Sequence, residues 1–274
     1  MRMKKGIRCH DVSAKGLESI VKRCRELDIE YVQLVLDKSI ENFEYGKFSK
    51  EYAENIKEKL GDMKIAVFGS YVNLSASKPE ERKTELYKFK EKIEYASVLK
   101  PMVVGSETGF YGDVMSDDAN NTEEAYNQLL KNLKELVEVA EKQNVNIGIE
   151  GVHCYVINTP RKMARLVSDL SSENVKVIFD PVNYININNY EKQDEMIEEM
   201  FALLSDKIVA FHAKDFVVEE NKIRNVIPGE GILNYKLIFK KFKEYGVDIP
   251  IISEEISDID AVKAFKNLAE LWLH

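Results

Sequence analysis

Eight short apolar runs alternate along this 274-residue chain with eight amphipathic stretches, and no other feature limits its fold as strongly. The runs are KGIRCHD (5–11), YVQLVLD (31–37), KIAVFGSYVN (64–73), PMVVGSETG (101–109), NIGIEG (146–151), KVIFD (176–180), IVAFHAKD (208–215) and PIISEE (250–255). Such nearly unbroken apolar character marks parallel strands buried on both faces. The stretches between and after them are 16–28, 50–62, 79–100, 121–143, 159–170, 191–206, 235–246 and 258–273, all with helical period. The fourth opens on Asn121 and Thr122 followed by acidic residues, then sets Leu129, Leu130, Leu133, Leu136 and Val137 along one face. Strict strand and helix alternation predicts a parallel sheet with right-handed crossovers. Eight units predict an α/β fold that closes as a (β/α)8 TIM barrel, with an open doubly wound sheet as the weaker alternative.

No Pro-, Gly- or Ser-rich linker interrupts the pattern, so residues 1–274 are expected to form one domain. Cys9, Cys24 and Cys154 lack any paired spacing, which predicts free thiols in a reducing cytoplasm. The N-terminus carries no apolar leader segment and no window approaches a membrane span, which predicts a soluble protein with no membrane partner. With 39 basic and 47 acidic residues the net charge is −8, which disfavours nucleic acid as a partner.

Four of the runs end in a group that binds metals: Glu150, Asp180, His212 and Glu254. Strand ends around a parallel barrel converge on its C-terminal mouth, so the four residues read as one site. Two Glu, one Asp and one His suit a single divalent ion, Mn, Mg, Co or Zn, and no thiolate singles out zinc. Singly, each has an ordinary explanation: carboxylates after strands cap helices, FDP is a respectable turn, and a lone strand histidine is commonly a satisfied core residue. Glu150 resists that explanation because it sits inside an apolar stretch, where an unpaired carboxylate is costly. The period of two puts Lys214 on the face of His212 and turns Asp215 away. It also lets only one of Glu254 and Glu255 face inward; Glu254 is chosen because apolar Ile252 precedes it by two.

These residues, with Asn183 in FDPVN, FHAKD at 211–215 and PGEG at 228–231, resemble the xylose isomerase-like barrels, specifically their sugar phosphate isomerase/epimerase branch. The resemblance spans nearly the whole chain and implies one divalent metal on Glu150, Asp180, His212 and Glu254. It implies further that Glu150 and Glu254 are the catalytic residues, exchanging protons with a small polyhydroxylated carbonyl substrate through a metal-stabilised enediolate. Asn183 stands where ketose 3-epimerases of this family usually carry histidine, and Arg224 is the one candidate for the arginine many carry after the seventh strand. Asn183, Lys214 and Arg224 are therefore expected to bind substrate. His153 either joins them or is a loop histidine.

Epimerisation, isomerisation and the dehydration seen with inososes are all open to such a site. Apurinic endonucleases of the same superfamily hold three zinc ions with additional histidines, whereas this chain has only His10, His153, His212 and His274, with Asn73 and Glu107 ending the third and fourth runs. A non-catalytic sugar-binding barrel is the remaining alternative. Tyr71, Phe110, Tyr111, Tyr155 and Tyr184 follow strands, where aromatic faces stack on sugars or plug core edges. A homo-oligomer is also expected to be possible, since barrels of the family often associate.

Overall fold

The apolar runs form the eight strands of a closed parallel barrel in a computed structural model, which describes residues 2–113 and 117–273. In chain order the elements are β1 (Lys4–Arg8), α1 (Leu17–Glu26), β2 (Tyr31–Leu34), the single turn α2 (Leu36–Ser39), α3 (Lys50–Leu60), β3 (Lys64–Gly69) and α4 (Pro79–Leu99). There follow β4 (Val103–Glu107), the short α5 (Asp117–Asn120), α6 (Glu123–Lys142), β5 (Ile147–Glu150), α7 (Pro160–Leu170), β6 (Val175–Phe179) and α8 (Gln193–Leu204). The last are β7 (Ile208–Ala213), β8 (Asp215–Glu219), β9 (Lys222–Val226), α9 (Tyr235–Tyr245), β10 (Pro250–Ser253) and α10 (Asp258–Leu273). Strands β1 to β7 pair in sequence order and β10 closes the ring between β7 and β1.

Local chemistry starts and stops the helices where the sequence suggests. Thr122 accepts a hydrogen bond from the Ala125 amide to open α6, and Thr159 does the same from Lys162 for α7, with Pro160 at the first helical position. Gly246 closes α9 at φ +67°, a conformation glycine adopts without penalty. The expectation that every strand runs straight into a helix fails after β7. There β8 and β9 form an antiparallel hairpin before α9, turning on Glu220 and Asn221 at φ +48° and +60°. The predicted strand 208–215 accordingly divides after Ala213.

Inside the barrel the period of two builds layers. Tyr31, Val67, Val103, Ile178, Ala210 and Ile252 make an apolar cluster filling the interior. Gly105 and Gly148 face the same space: a Cβ on either would stand 2.7 and 3.0 Å from the Ile178 side chain. Burying one branched aliphatic side chain of this layer is worth about 1.5–3 kcal/mol. Two residues further along each strand, the same inward direction carries Arg8 from β1, Gln33 from β2, Glu107 from β4, Glu150 from β5, Asp180 after β6, His212 from β7 and Glu254 after β10. The apolar plug thus supports a ring of polar groups at the C-terminal end of the strands.

Candidate functional site

Glu150, Asp180 and His212 each offer a ligand atom within 4.8 Å of the other two, and all three residues are buried. His212 Nδ1 lies 3.1 Å from Glu150 Oε1 and 3.5 Å from Glu254 Oε1. Its Nε2 is buried with no hydrogen-bond partner among the described residues, and so is Asp180 Oδ2. Lys214 Nζ is 3.1 Å from that Asp180 oxygen, at ion-pair distance but not aligned for a hydrogen bond. Two carboxylates and an imidazole, all buried and with ligand atoms this close together, fit a divalent cation. Glu254 lies beside the three. Its carboxylate is buried and engaged by Lys214 at 3.1 Å, with Arg8 at 4.0 Å. Glu255 is exposed and turns at φ +59°.

Lys214 follows β7 and brings its ammonium among Asp180, Glu254 and, at 3.3 Å, Glu255. Asn183 braces three of these groups. Its amide nitrogen donates to Glu150 Oε1 at 2.7 Å, its side-chain oxygen accepts from Lys214 at 3.1 Å, and its backbone N–H donates to Asp180 Oδ1 at 3.1 Å. Each contact fixes a rotamer in the ring, as supporting hydrogen bonds around a ligand set do.

Charge crowding shifts these groups as electrostatics requires. Burial, reinforced by Glu150 and Glu254 and opposed by Lys214, pushes the Asp180 carboxyl up to about 6. Burial would lower His212, but Glu254 and Glu150 outweigh it and hold the imidazole up at about 9. Glu254 goes the other way: burial would raise it, yet His212, Lys214 and Arg8 bring it down to about 2. For Lys214 burial favours the neutral amine, but Asp180, Glu254 and Glu150 keep it firmly protonated. Burial and the neighbouring Glu150 push Glu107 up to about 7.

The other expected contacts lie elsewhere or play other parts. Arg224 is on the exposed β9, where both Glu219 oxygens hold its guanidinium at 2.7 and 2.8 Å, so it is not gathered with the mouth groups. The β8–β9 hairpin carries it outward. His153 is half-buried in the loop after β5, with its backbone N–H on Asn183 O at 2.7 Å. His274 lies outside the described residues. Asp215 turns away from the mouth and organises the PGEG loop, its carboxylate accepting from the Gly229, Gly231, Leu233 and Phe216 amides. A Cβ at Gly231 would collide with that carboxylate. Among the aromatics, Tyr184 is buried, while Tyr71 is half-buried and accepts from Gln33 Nε2 at 2.6 Å. Arg8, Asp11, Gln33 and Glu107 escaped the sequence reading as site residues. Counting by two from Gly6, Tyr31 and Val103 would have pointed three of them inward.

A family model described as the xylose isomerase-like TIM barrel matches residues 21–273. An uncharacterized Methanocaldococcus jannaschii protein, MJ1311, is 27% identical over 214 residues, 76% of this chain and 70% of its own length. The probable L-ribulose-5-phosphate 3-epimerase UlaE of Mycoplasma pneumoniae is 26% identical over 149 residues, 54% of this chain and 46% of its own. Among solved structures, a D-tagatose 3-epimerase-like protein superposes with a TM-score of 0.77 at 24% identity, covering 98% of this chain and 97% of that one. The IOLI protein with a bound zinc atom gives a TM-score of 0.74 at 16% identity, covering 98% and 96%.

Proposed function

Since the chain belongs to the xylose isomerase-like TIM barrel family, we propose that its barrel mouth is a divalent-metal-dependent isomerase or epimerase site for a small polyhydroxylated carbonyl compound. The observation that carries this reading is the buried set of Glu150, Asp180 and His212, whose ligand atoms lie within 4.8 Å of one another. Glu254 would complete the set. A relative named as a sugar-phosphate 3-epimerase and a neighbour named as D-tagatose 3-epimerase-like agree with it, as does a neighbour solved with zinc.

Glu150, Asp180, His212 and Glu254 would hold a divalent ion, which when bound would supply Lewis acidity to the substrate carbonyl. The protein supplies the proton movements. Glu150 on β5 and Glu254 after β10 face each other across the two strands between them in the ring. One carboxylate removes the proton next to the carbonyl; the other returns a proton to the same carbon from the opposite face, or to the adjacent carbon. The Asn183 amide holds Glu150 Oε1 and so fixes which Glu150 lone pair points at the substrate. Lys214, kept cationic by its carboxylates, offsets the negative charge that develops on the substrate.

The test is proton exchange. Manganese-loaded protein is incubated with a panel of ketoses, aldoses and inososes in deuterated water and carbon-bound deuterium is followed by NMR. Uptake at one carbon of one sugar supports the reading and identifies the reaction. No uptake from any member, with manganese bound, refutes it.

A further inference from the structure

One inward carboxyl at the mouth has no part in the proton relay. Glu107 ends β4 directly in register with Glu150 and continues the inward face of Val103 and Gly105. Among the charged groups of the polar ring, the other six pair with one another or with Asp11 and Asn183. Glu107 alone has no hydrogen-bond or ion-pair partner among the described residues, although it is half-buried. A half-buried carboxyl that no protein group engages is available to hydroxyl groups of a ligand.

The cations of the ring are all engaged. Lys214 is enclosed by Asp180, Glu254 and Glu255. Arg8 is bidentate on Asp11, at 2.6 and 3.0 Å, and faces Glu254. Lys38 lies outside the ring with its ammonium 5.8 Å from the centre of the Tyr71 ring. It also borders a pocket of about 370 Å³ between the β1 and β2 connections, where Lys15 and Lys38 are matched by Asp37 and Glu41. Among the described residues the ring holds no pair of cations free of carboxylates to receive a phosphate, and Glu107 adds another carboxyl beside Glu150.

Building on the proton-transfer reading, we propose that Glu107 binds hydroxyl groups of the substrate chain and makes the site selective for neutral polyhydroxy carbonyl compounds over their phosphate esters. A carboxyl accepts hydrogen bonds from hydroxyls in either protonation state. Its ionised form repels a phosphate several ångströms away strongly enough, at an effective dielectric near about 20, for at least about tenfold discrimination. This preference departs from the relative named for a 5-phosphate substrate.

The experiment compares ketopentoses and ketohexoses with their terminal phosphate esters on manganese-loaded wild type and Glu107→Gln, reading deuterium exchange as kcat/KM. The expected wild-type ratio favours the free ketose by about tenfold or more, and Glu107→Gln narrows it by improving the ester. Manganese stoichiometry by calorimetry should be the same in both proteins, which separates substrate reading from metal binding. A wild type that prefers the ester, or a ratio that Glu107→Gln leaves unchanged, overturns the proposal. If neither form exchanges, the proton-transfer reading fails by itself. Charge selectivity is then read from calorimetric binding of xylitol and xylitol 5-phosphate, where tighter binding of xylitol upholds it. Equal or tighter binding of the ester, or no binding of either, overturns it.

Discussion

Two buried lysines sit in opposite surroundings, and the contrast separates the mouth from the rest of the barrel. Lys214 stands among carboxylates, with Asp180 and Glu254 both at 3.1 Å. Lys92, on α4, is fully buried against the rings of Phe43, Tyr45 and Phe68, 4.3 to 5.5 Å from their centres, with one carboxylate, Asp37, at 3.4 Å. Burial lowers Lys92 to about 8 and Asp37 recovers only part of that, whereas the carboxylates around Lys214 reverse the effect of burial and raise it. Beside Lys92, Glu91 accepts the Gly46 and Phe48 amides, so this pair of α4 residues pins the loop from β2 to α3. An aromatic box tolerates one cation as packing. A ring of acids brought together without enough basic partners is an environment prepared for more positive charge than the chain itself provides.

The largest expected effect comes from removing an acid of that ring. Glu150→Gln should lower proton exchange about a thousandfold, the scale of a lost general base. Its thermal midpoint should hold or rise, because one of several crowded carboxylates has been neutralised; a midpoint well below wild type would assign Glu150 to the framework instead.

Next comes Lys214→Met, which strips the ring of its internal counter-charge. Urea unfolding at pH 7 without metal should show a loss of about 3 kcal/mol, the cost of leaving buried charges unpaired. Saturating manganese should return more stability to this variant than to wild type. Equal gains in the two proteins would mean that lysine and metal do not share the same acids.

Lys92→Met sharpens the contrast from the other side. With the folded pKa near 8 and the ordinary value at 10.5, the unfolded chain binds the proton more tightly than the folded one between those limits. Stability therefore rises as pH increases from 8 to 10.5, and the penalty is fully present below 8. It amounts to at most about 3 kcal/mol, since the ring faces favour the ammonium and reduce it. The variant should lose this rise and be no less stable than wild type at pH 7, as measured by urea unfolding across the range. A wild type whose stability is flat from pH 8 to 10.5 would show that the aromatic box compensates burial completely.

The sequence was most legible where chemistry and periodicity coincide. Eight apolar runs and eight amphipathic stretches became the barrel's strands and main helices because periodicity sets their buried faces, and local signals such as Thr122, Pro160 and Gly246 mark the ends of several helices. The grouping of Glu150, Asp180 and His212 was legible because strand ends of a parallel barrel converge. Glu107 and Arg8 were less so, since a charged residue ending a short strand reads equally well as solvent-facing until the inward register is known. The β8–β9 hairpin hid behind Lys214, whose place between His212 and Asp215 made β7 look continuous. Its two-residue turn at Glu220 and Asn221 is the available signal, and Arg224 lies on this hairpin, paired with Glu219. Asn183 as a brace was invisible to sequence reading, because its bonds to Glu150 and Lys214 join β5, β6 and β7 across the mouth.

The metal site is tested most directly by a crystal of the protein grown with manganese, with diffraction collected at the manganese absorption edge. One strong anomalous peak is expected at the mouth, with Glu150, Asp180, His212 and Glu254 within coordination distance, roughly 2.0–2.3 Å, and the Lys214 ammonium displaced from Asp180. A mouth without a peak, with Lys214 still between Asp180 and Glu254 at saturating manganese, would contradict the metal site.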